Sequence, residues 1–319
     1  MRLVFLGTPD FAAASLEALI EARFELALVI AQPDRPAGRG RTLTAPAVAR
    51  LARERGLRLA QPEDANAERS VQELRALEPD LFVIVAYGLI LSPALLAVPR
   101  LGAINVHASL LPDYRGASPI ACAIEDGVAG TGVTTMWLDD GIDTGDIVYQ
   151  RYVPIDPEET AGELSDRLAH EGAQLLVHSL RAIDAGTAPR HRQDRSAGRY
   201  CRKLRKEQGA VDWTADGERV ARHVRAVTPW PGARATFVKD DAGEPIEITI
   251  ERARVFDLVA RGAAPGTVLG ASESGPADGP VVACGKGALE LTHVRPAGKK
   301  SMLARDWWRG LRTSGGRFS

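Results

Sequence analysis

The chain has 319 residues, of which 45% are hydrophobic and 25% charged, and its formal net charge is −1. This length leaves room for two domains, and the composition is that of an ordinary globular protein rather than a disordered or fibrous one. The sequence has no long apolar run that predicts a membrane helix, no signal-peptide layout, and three scattered cysteines that suggest neither a zinc site nor a disulfide framework. We therefore expect a cytoplasmic protein.

The first part of the chain alternates short apolar segments with helical ones. The predicted strands are 3–6, 26–31, 81–86 and 103–107. The predicted helices are 11–20, 45–55, 68–77 and 160–185, the last with Thr160 as its N-cap. This alternation predicts an α/β domain with a doubly wound, mostly parallel sheet, whose ligands bind beyond the carboxyl ends of the strands.

The alternation ends after a polar segment that predicts a linker. Beyond it, the pattern predicts a helix at 218–226 and short strands at 235–238, 246–250, 281–283 and 288–291. Short strands separated by Gly- and Pro-rich turns predict a small β-barrel, with Trp213, Trp230 and Phe237 in its core. We expect a catalytic domain over 1–188, a linker over 189–205 and a barrel domain over 206–319.

Charge is distributed unevenly between the two parts. Residues 1–189 contain 16 Lys and Arg against 26 Asp and Glu, a net charge of −10, and residues 190–319 contain 24 against 15, a net charge of +9. A basic half predicts a polyanionic partner such as a nucleic acid. The alternative is a solvated basic surface without a partner, and charge alone does not decide between them.

One motif carries the candidate chemistry. Residues 105–112 read Asn-Val-His-Ala-Ser-Leu-Leu-Pro, and Asp143 follows in Gly-Ile-Asp-Thr-Gly-Asp. Alternation along a strand puts Asn105 and His107 on one face. Their N–H groups can stabilise an oxyanion, and a carboxylate can orient the imidazole and move a proton. These three side chains are a minimal set for acyl transfer when the amine of the substrate itself attacks.

The same residues also have simpler structural explanations. An Asn or His at the end of a strand often caps a turn or satisfies a core polar group, and Asp143 can form an Asx-turn. A calcium loop is disfavoured, because further oxygen ligands and a distal Glu are missing. The segment Gly7-Thr8-Pro9-Asp10 lacks the spacing of a dinucleotide-binding loop, so we expect no nicotinamide cofactor.

Over nearly its whole length the sequence resembles the folate-dependent formyltransferases, and among them those that act on methionyl-tRNA. The segments that carry the resemblance are 5–11, 32–40, 105–112, 115–117, 141–146, 212–213, 229–231 and 296–300. The chain departs from the family pattern in two places. Asp113-Tyr114 stands where a basic-aromatic pair is common, and Arg41-Thr42 stands where two lysines are common.

The resemblance implies that Asn105, His107 and Asp143 are the catalytic trio. It implies transfer of the formyl group of 10-formyltetrahydrofolate to the amino group of initiator methionyl-tRNA, for the initiation of translation, with no metal. It also implies that the C-terminal domain is like an oligonucleotide-binding barrel. The expected folate contacts are Ser109, Leu110, Leu111, Pro112, Ala86, Tyr87, Gly88 and Leu89. We expect a monomer.

The expected tRNA contacts lie in a loop over 34–41, in a basic run that starts at residue 202, and in a turn near residue 299. The loop over 34–41 is the one that the resemblance places against the acceptor end of tRNA, and arginine there can contact phosphate through two N–H groups. The alternative is again a solvated surface. The residues are Arg35, Arg39, Arg41, Arg202, Lys203, Lys206, Lys299 and Lys300.

Two other functions remain open from the sequence. The first is a related enzyme that formylates an amino sugar nucleotide or hydrolyses 10-formyltetrahydrofolate; the arginine-rich loop and the basic half favour tRNA instead. The second is an RNA-binding module with a vestigial site, against which the intact trio argues.

Overall fold

The computed structural model describes residues 1–37, 42–240, 243–257, 262–269, 277–313 and 315–319. These residues form two compact units. Unit 1 comprises Met1–Pro119, Gly130–Pro154 and Ser165–Cys201. Unit 2 comprises Ile120–Ala129, Ile155–Leu164 and Arg202–Ser319.

The elements follow in chain order. The strands are β1 (Arg2–Gly7), β2 (Glu25–Ile30), β3 (Arg35–Ala37), β4 (Thr42–Thr44), β5 (Leu59–Ala60), β6 (Leu81–Val85), β7 (Ala103–His107), β8 (Arg115–Gly116), β9 (Gly130–Trp137), β10 (Ile147–Pro154), β11 (Tyr200–Cys201), β12 (Ala233–Lys239), β13 (Ile246–Phe256), β14 (Val268–Leu269), β15 (Val281–Ala283), β16 (Ala288–Pro296), β17 (Met302–Leu303) and β18 (Gly316–Phe318). The helices are α1 (Asp10–Glu21), α2 (Ala47–Glu54), α3 (Glu68–Arg75), α4 (Pro93–Leu96), α5 (Pro119–Asp126), α6 (Ala161–Asp184), α7 (Gly217–Ala226) and α8 (Ala304–Leu311), with a 3-10 helix at Lys206–Gly209.

Unit 1 is built on a sheet of order β10-β9-β7-β6-β1-β2-β5. Strands β1, β2, β5, β6 and β7 are parallel, and β9 and β10 add an antiparallel edge. Residues of β1 alternate between two cores: Leu3 and Phe5 face one, and Val4 and Leu6 face the other. Since both faces of the sheet are covered, the predicted doubly wound α/β fold is confirmed.

The long helix α6 begins as the sequence predicts. The backbone N–H of Thr160 donates to the Glu163 carboxylate (2.9 Å), and the backbone N–H of Glu163 donates to the Thr160 hydroxyl (3.3 Å). This reciprocal pair satisfies backbone donors that a helix start leaves free. The Thr160 backbone N–H also lowers the pKa of Glu163.

Two features of unit 1 differ from the sequence prediction. The segment predicted as a linker is packed on unit 1: β11 pairs in parallel with β8, and Gln193 is buried. It is held because Arg115, itself buried, supplies hydrogen bonds to its carbonyls. The sequence suggested no disulfide framework, but Cys201 of unit 1 is disulfide-bonded, whereas Cys284 is free.

Unit 2 contains an antiparallel sheet of order β14-β15-β16-β13-β12-β18, with β17 paired to β16. A bridge between Thr267 and Arg317, and a hydrogen bond from the Phe318 N–H to the Gly266 carbonyl (2.8 Å), join the two ends of this sheet. The sheet is therefore a closed barrel, as predicted.

Aromatic rings fill the barrel. Phe237 lies 5.0 Å from Phe318 and 5.4 Å from Trp307 between ring centroids, and Trp213 is also buried. Trp230 is 56% exposed, so its predicted core position is wrong. It lies in the turn between α7 and β12, outside the strands that form the barrel. Within the described ranges, no helix is both long and apolar enough to cross a membrane.

Candidate active site

Strand β7 presents the two candidate oxyanion donors. Asn105 and His107 are two residues apart, so their side chains leave the same face of the strand. His107 is the last residue of β7 and is 7% exposed, whereas Asn105 is half-buried. The Asn105 carboxamide makes no hydrogen bond to any residue that the structure describes. It is therefore available to a substrate.

The imidazole of His107 is held from two sides. Its Nε2 lies 3.0 Å from the backbone carbonyl of Tyr114, which can only accept, so Nε2 carries a proton. Its Nδ1 lies 3.6 Å from Oδ2 of Asp143. Nδ1 is thus the ring nitrogen that faces the Asp143 carboxylate. The sequence did not reveal the Tyr114 carbonyl, because a backbone contact leaves no residue-type signal.

Asp143 is positioned by residues outside its own loop. Its Oδ2 accepts a hydrogen bond from the backbone N–H of Gly116 (2.8 Å), and it adopts a left-handed conformation with φ +54°. Aspartate is among the few residues that tolerate this conformation. The Asx-turn of the loop is formed by Asp139, which accepts from the Gly141 N–H (3.0 Å), so the Asp143 carboxylate faces His107 instead.

Arg115 holds this arrangement together. It is 7% exposed, and its guanidinium donates to the side chain of Gln193 (2.8 Å) and to the backbone carbonyl of Asp143 (3.2 Å). Gln193 in turn donates to the same Asp143 carbonyl (3.0 Å). In the sequence, Arg115 stands out only as part of a shared motif, and Gln193 has no signal because it lies 78 residues away along the chain.

The Ser-Leu-Leu-Pro segment after His107 is tied to the neighbouring edge of the sheet. Ser109 is fully buried and donates to the Asp113 carbonyl (2.6 Å). Leu111 is buried too, and its carbonyl accepts from the Gln150 amide (2.9 Å). Of the four side chains expected to contact folate here, only Leu110 and Pro112 remain partly exposed.

The second segment expected to contact folate follows β6, the neighbour of β7. Ala86, Gly88 and Leu89 are exposed. Tyr87 anchors the segment: it is buried, and its carbonyl accepts from the Thr8 hydroxyl (3.0 Å) and the Gln32 amide (3.2 Å). Burial raises the pKa of the Tyr87 phenol to about 12. Because β6 and β7 are parallel neighbours, both segments emerge at the same edge of the sheet.

The expected tRNA contacts that can be placed are all exposed. Arg35 lies on β3 in unit 1. Arg39 and Arg41 lie outside the described residues. The others belong to unit 2 and are Arg202, Lys203, Lys206, Lys299 and Lys300. The described part of the chain contains no group of three or more His, Cys, Asp or Glu placed to hold a metal ion.

Comparison with known proteins adds sequence and fold relationships. Residues 1–180 match the formyl transferase family model, and residues 203–312 match the model of the formyl transferase C-terminal domain. The chain is 45% identical to the methionyl-tRNA formyltransferase of Moorella thermoacetica, over 97% of this chain and 96% of that one. It is 43% identical to the enzyme of the same name from Aromatoleum aromaticum, over 99% and 96%.

A solved structure is similar in fold. It is the N-formyltransferase from Helicobacter canadensis in complex with folinic acid and dTDP-3-aminofucose, with a TM-score of 0.65 over 91% of this chain and 98% of that one. At 17% identity, this likeness concerns the fold alone.

Proposed function

This chain belongs to the formyl transferase family, and we propose that it transfers the formyl group of 10-formyltetrahydrofolate to the amino group of methionyl initiator tRNA, for the initiation of translation. Two full-length relatives that carry the name methionyl-tRNA formyltransferase support the acceptor. The observation that carries the chemistry is the pairing of His107 with Asp143 at the end of β7, on the strand face from which Asn105 also projects.

Three side chains perform the transfer. When bound, the folate supplies an electrophilic formyl carbon, which the uncharged amine of the acceptor attacks. Asn105 and protonated His107 donate hydrogen bonds to the formyl oxygen, where negative charge develops. Because the Tyr114 carbonyl already occupies Nε2 of His107, the proton on Nδ1 is the one directed to the reaction. Asp143 would keep His107 oriented, accept the proton that the attacking amine releases, and relay it to the folate nitrogen. The bond from the formyl carbon to that nitrogen breaks as the nitrogen takes the proton, so that tetrahydrofolate is the leaving group.

The folate would be held at the carboxyl ends of β6 and β7. Exposed backbone at Ala86 and Gly88 can bond the polar edge of a pterin, and the exposed side chains of Leu89 and Ile90 offer apolar contact. These groups fit a flat heteroaromatic ligand with a hydrogen-bonding edge. Leu110 and Pro112 would also touch it, whereas Ser109, Leu111 and Tyr87 would act by holding the two segments in place.

The tRNA would be bound through phosphate contacts made by exposed basic residues. We assign this role to Lys299, Lys300 and the run 202–206 in unit 2, together with Arg35 in unit 1 and, from the resemblance alone, Arg39 and Arg41. The net charge of +9 over residues 190–319 supports this assignment. We propose that the protein acts as a monomer.

The test is a formyl-transfer assay with three acceptors in parallel. Purified protein is mixed with 10-formyltetrahydrofolate and with methionyl initiator tRNA, an amino sugar nucleotide or water alone. We expect formylmethionyl-tRNA and neither a formylated sugar nor rapid release of formate. A formylated sugar or tRNA-independent formate release would assign the chain to one of the related enzymes. Tight tRNA binding without any transfer would identify an RNA-binding module.

A further inference from the structure

An exposed aromatic ring lies close to the candidate active site within unit 1. Tyr200 is on β11, which pairs with β8, and it is 54% exposed although its neighbour Cys201 is fully buried. A tyrosine ring that keeps half of its surface in water has a free face on which another flat group can stack.

The opposite side of the Tyr200 ring packs against Gly116. A Cβ atom at Gly116 would lie 3.0 Å from Cε2 and 3.1 Å from Cζ of Tyr200, so the ring is in direct contact with this glycine. The N–H of the same glycine donates to the carboxylate of Asp143 (2.8 Å). One residue therefore separates the Tyr200 ring from the carboxylate that faces His107. The pairing of β11 with β8 fixes the position of the Tyr200 ring relative to Gly116, and therefore relative to the carboxylate that Gly116 binds.

We propose that Tyr200 is a stacking subsite for the 3′-terminal adenine of the aminoacylated tRNA. This inference rests on the proposed function. In that substrate the reacting amine is joined to the terminal adenosine through only an ester and the ribose, so the adenine must lie close to the reacting atoms. An unpaired base at the end of a strand is the kind of base that proteins bind by stacking on aromatic side chains. Tyr200 is then a binding residue that orients the acceptor, not a proton carrier.

Stacking makes a specific demand on the side chain. It needs the flat face of the ring and not the hydroxyl, so Tyr200→Phe keeps it and Tyr200→Leu removes it while retaining apolar bulk. Tyr152 offers a matched control. It is 60% exposed, also lies in unit 1, and also packs its ring on a glycine, Gly130. Its strand β10 is an edge strand that β9 separates from β7.

The experiment crosses enzyme variants with two substrates. One substrate is methionyl-tRNA with its natural 3′-terminal adenosine, and the other is a chemically acylated tRNA whose terminal nucleoside lacks the base. Transfer is measured as kcat/KM for wild type, Tyr200→Ala, Tyr200→Leu, Tyr200→Phe and Tyr152→Ala. For wild type, Tyr200→Phe and Tyr152→Ala, we expect removal of the base to lower kcat/KM roughly 5- to 100-fold, the effect of losing one base–aromatic stack.

For Tyr200→Ala and Tyr200→Leu we expect the same loss on the natural substrate and little further loss when the base is removed. The inference is overturned if removal of the base lowers kcat/KM of these two variants as much as it lowers that of wild type. It is also overturned if Tyr200→Phe has the same low kcat/KM on the natural substrate as Tyr200→Ala. Circular dichroism and thermal unfolding identify a variant that has not folded, and Tyr200→Leu then decides the outcome. Failure of the proposed function is a separate result, since wild type would then transfer nothing to either tRNA.

Discussion

The two units of this molecule treat buried charge in different ways. In unit 1, the buried guanidinium of Arg115 is met by neutral acceptors, among them the Asp143 carbonyl, and it positions a carboxylate that faces His107. In unit 2, the fully buried carboxylate of Glu290 is met by Arg254 (Nε to Oε2 2.6 Å) and by two backbone N–H groups. The first arrangement lies at the candidate site, and the second joins β13 to β16 and to the segment before β15.

Topology explains the difference. The carboxyl ends of parallel strands lie side by side at one edge of their sheet, so polar residues that follow β6 and β7 are brought close together by the topology alone. A closed antiparallel barrel has no such edge, and its interior is filled with side chains such as Phe237 and Trp307. The barrel can offer only its outer surface to a partner, and the exposed lysines Lys299 and Lys300 lie there.

The largest expected effect concerns the chemistry assigned to unit 1. Asp143→Asn keeps the shape and tolerates the left-handed backbone, but it cannot accept a proton from the amine. We expect kcat to fall by about 10²–10³, the range seen when one preorganised group of a site is lost, with tRNA affinity and thermal unfolding unchanged. The control is Asp140→Asn, an exposed carboxylate three residues earlier. Near-normal kcat in the Asp143 variant would remove Asp143 from the mechanism.

Loss of Arg115 should damage both stability and rate. Arg115→Met leaves the buried Gln193 side chain and the partly buried carbonyls of Asp194 and Ala197 without this donor, and an acceptor left unsatisfied in a buried position costs ~1–3 kcal/mol. We expect the free energy of unfolding to fall by at least about 3 kcal/mol, measured by urea denaturation, and kcat to fall because the Asp143 loop loses its support. The matched control is Arg100→Met, an exposed arginine paired with Asp80, for which a change below about 1 kcal/mol is expected. Equal unfolding midpoints for the two variants would refute this role.

In unit 2 the corresponding change should affect stability alone. Glu290→Ala leaves the N–H groups of Asp278 and Gly279 without their acceptor, whereas Arg254, whose side chain is 53% exposed, can turn to water. We expect the free energy of unfolding to fall by about 2–5 kcal/mol. At a temperature where the variant is folded, we expect kcat at saturating tRNA to stay within about twofold of wild type, a difference worth under ~0.5 kcal/mol. A proportional loss of kcat would show that the barrel interior contributes to the chemistry.

Removing surface charge from the barrel should change tRNA binding without changing the rate of transfer. For Lys299→Ala with Lys300→Ala, we expect weaker tRNA affinity and a log–log salt dependence that is flatter by ~0.7–0.9 for each phosphate that the variant no longer neutralises. Lys286→Ala is the control, because Lys286 is also an exposed lysine of unit 2 but pairs with Asp216. If both variants showed the wild-type slope, Lys299 and Lys300 would be a solvated surface only.

The smallest expected effect is a pH dependence. The pKa of Tyr87 is raised to about 12 because the phenol is buried. In the unfolded chain the phenol has a pKa of about 10, so it ionises more readily there than in the folded protein. The folded state therefore has its full stability below pH ~10, and the free energy of unfolding falls as the pH rises from about 10 toward 12. Tyr87→Phe should therefore lose less stability than wild type between pH 8 and pH 11 in urea denaturation. Parallel losses in both proteins would contradict the role of burial.

Residue types made much of unit 1 predictable from the sequence. Strand β7 was predicted with its observed bounds, because an apolar run ends there in Asn105 and His107, and the cap of α6 follows from Thr160 and Glu163. The functional groups of the candidate site could also be predicted, because amide, imidazole and carboxylate side chains donate, accept or transfer protons in the same way in any fold.

What sequence reasoning missed depends on backbone atoms and on distant partners. The Tyr114 carbonyl that fixes the His107 proton has no signature in residue type. The hydrogen bond of Arg115 with Gln193 joins positions 78 residues apart, and no local period reports it. Strands β9 and β10 were not predicted. Strand β9 begins with two glycines in its first three residues, and glycine is uncommon inside strands. Strand β10 has polar residues among its apolar ones, which is typical of a strand at the edge of a sheet.

The separation of chemistry in unit 1 from tRNA affinity in unit 2 is tested most directly by single-turnover transfer in a combined variant. Asp143→Asn, the Lys299→Ala/Lys300→Ala pair and the triple variant are each measured at saturating and at low tRNA concentration. We predict that Asp143→Asn slows transfer equally at both concentrations, that the lysine pair slows it only at low tRNA, and that the triple variant shows the product of the two effects within about twofold. A triple variant no slower than Asp143→Asn alone at low tRNA would contradict the separation.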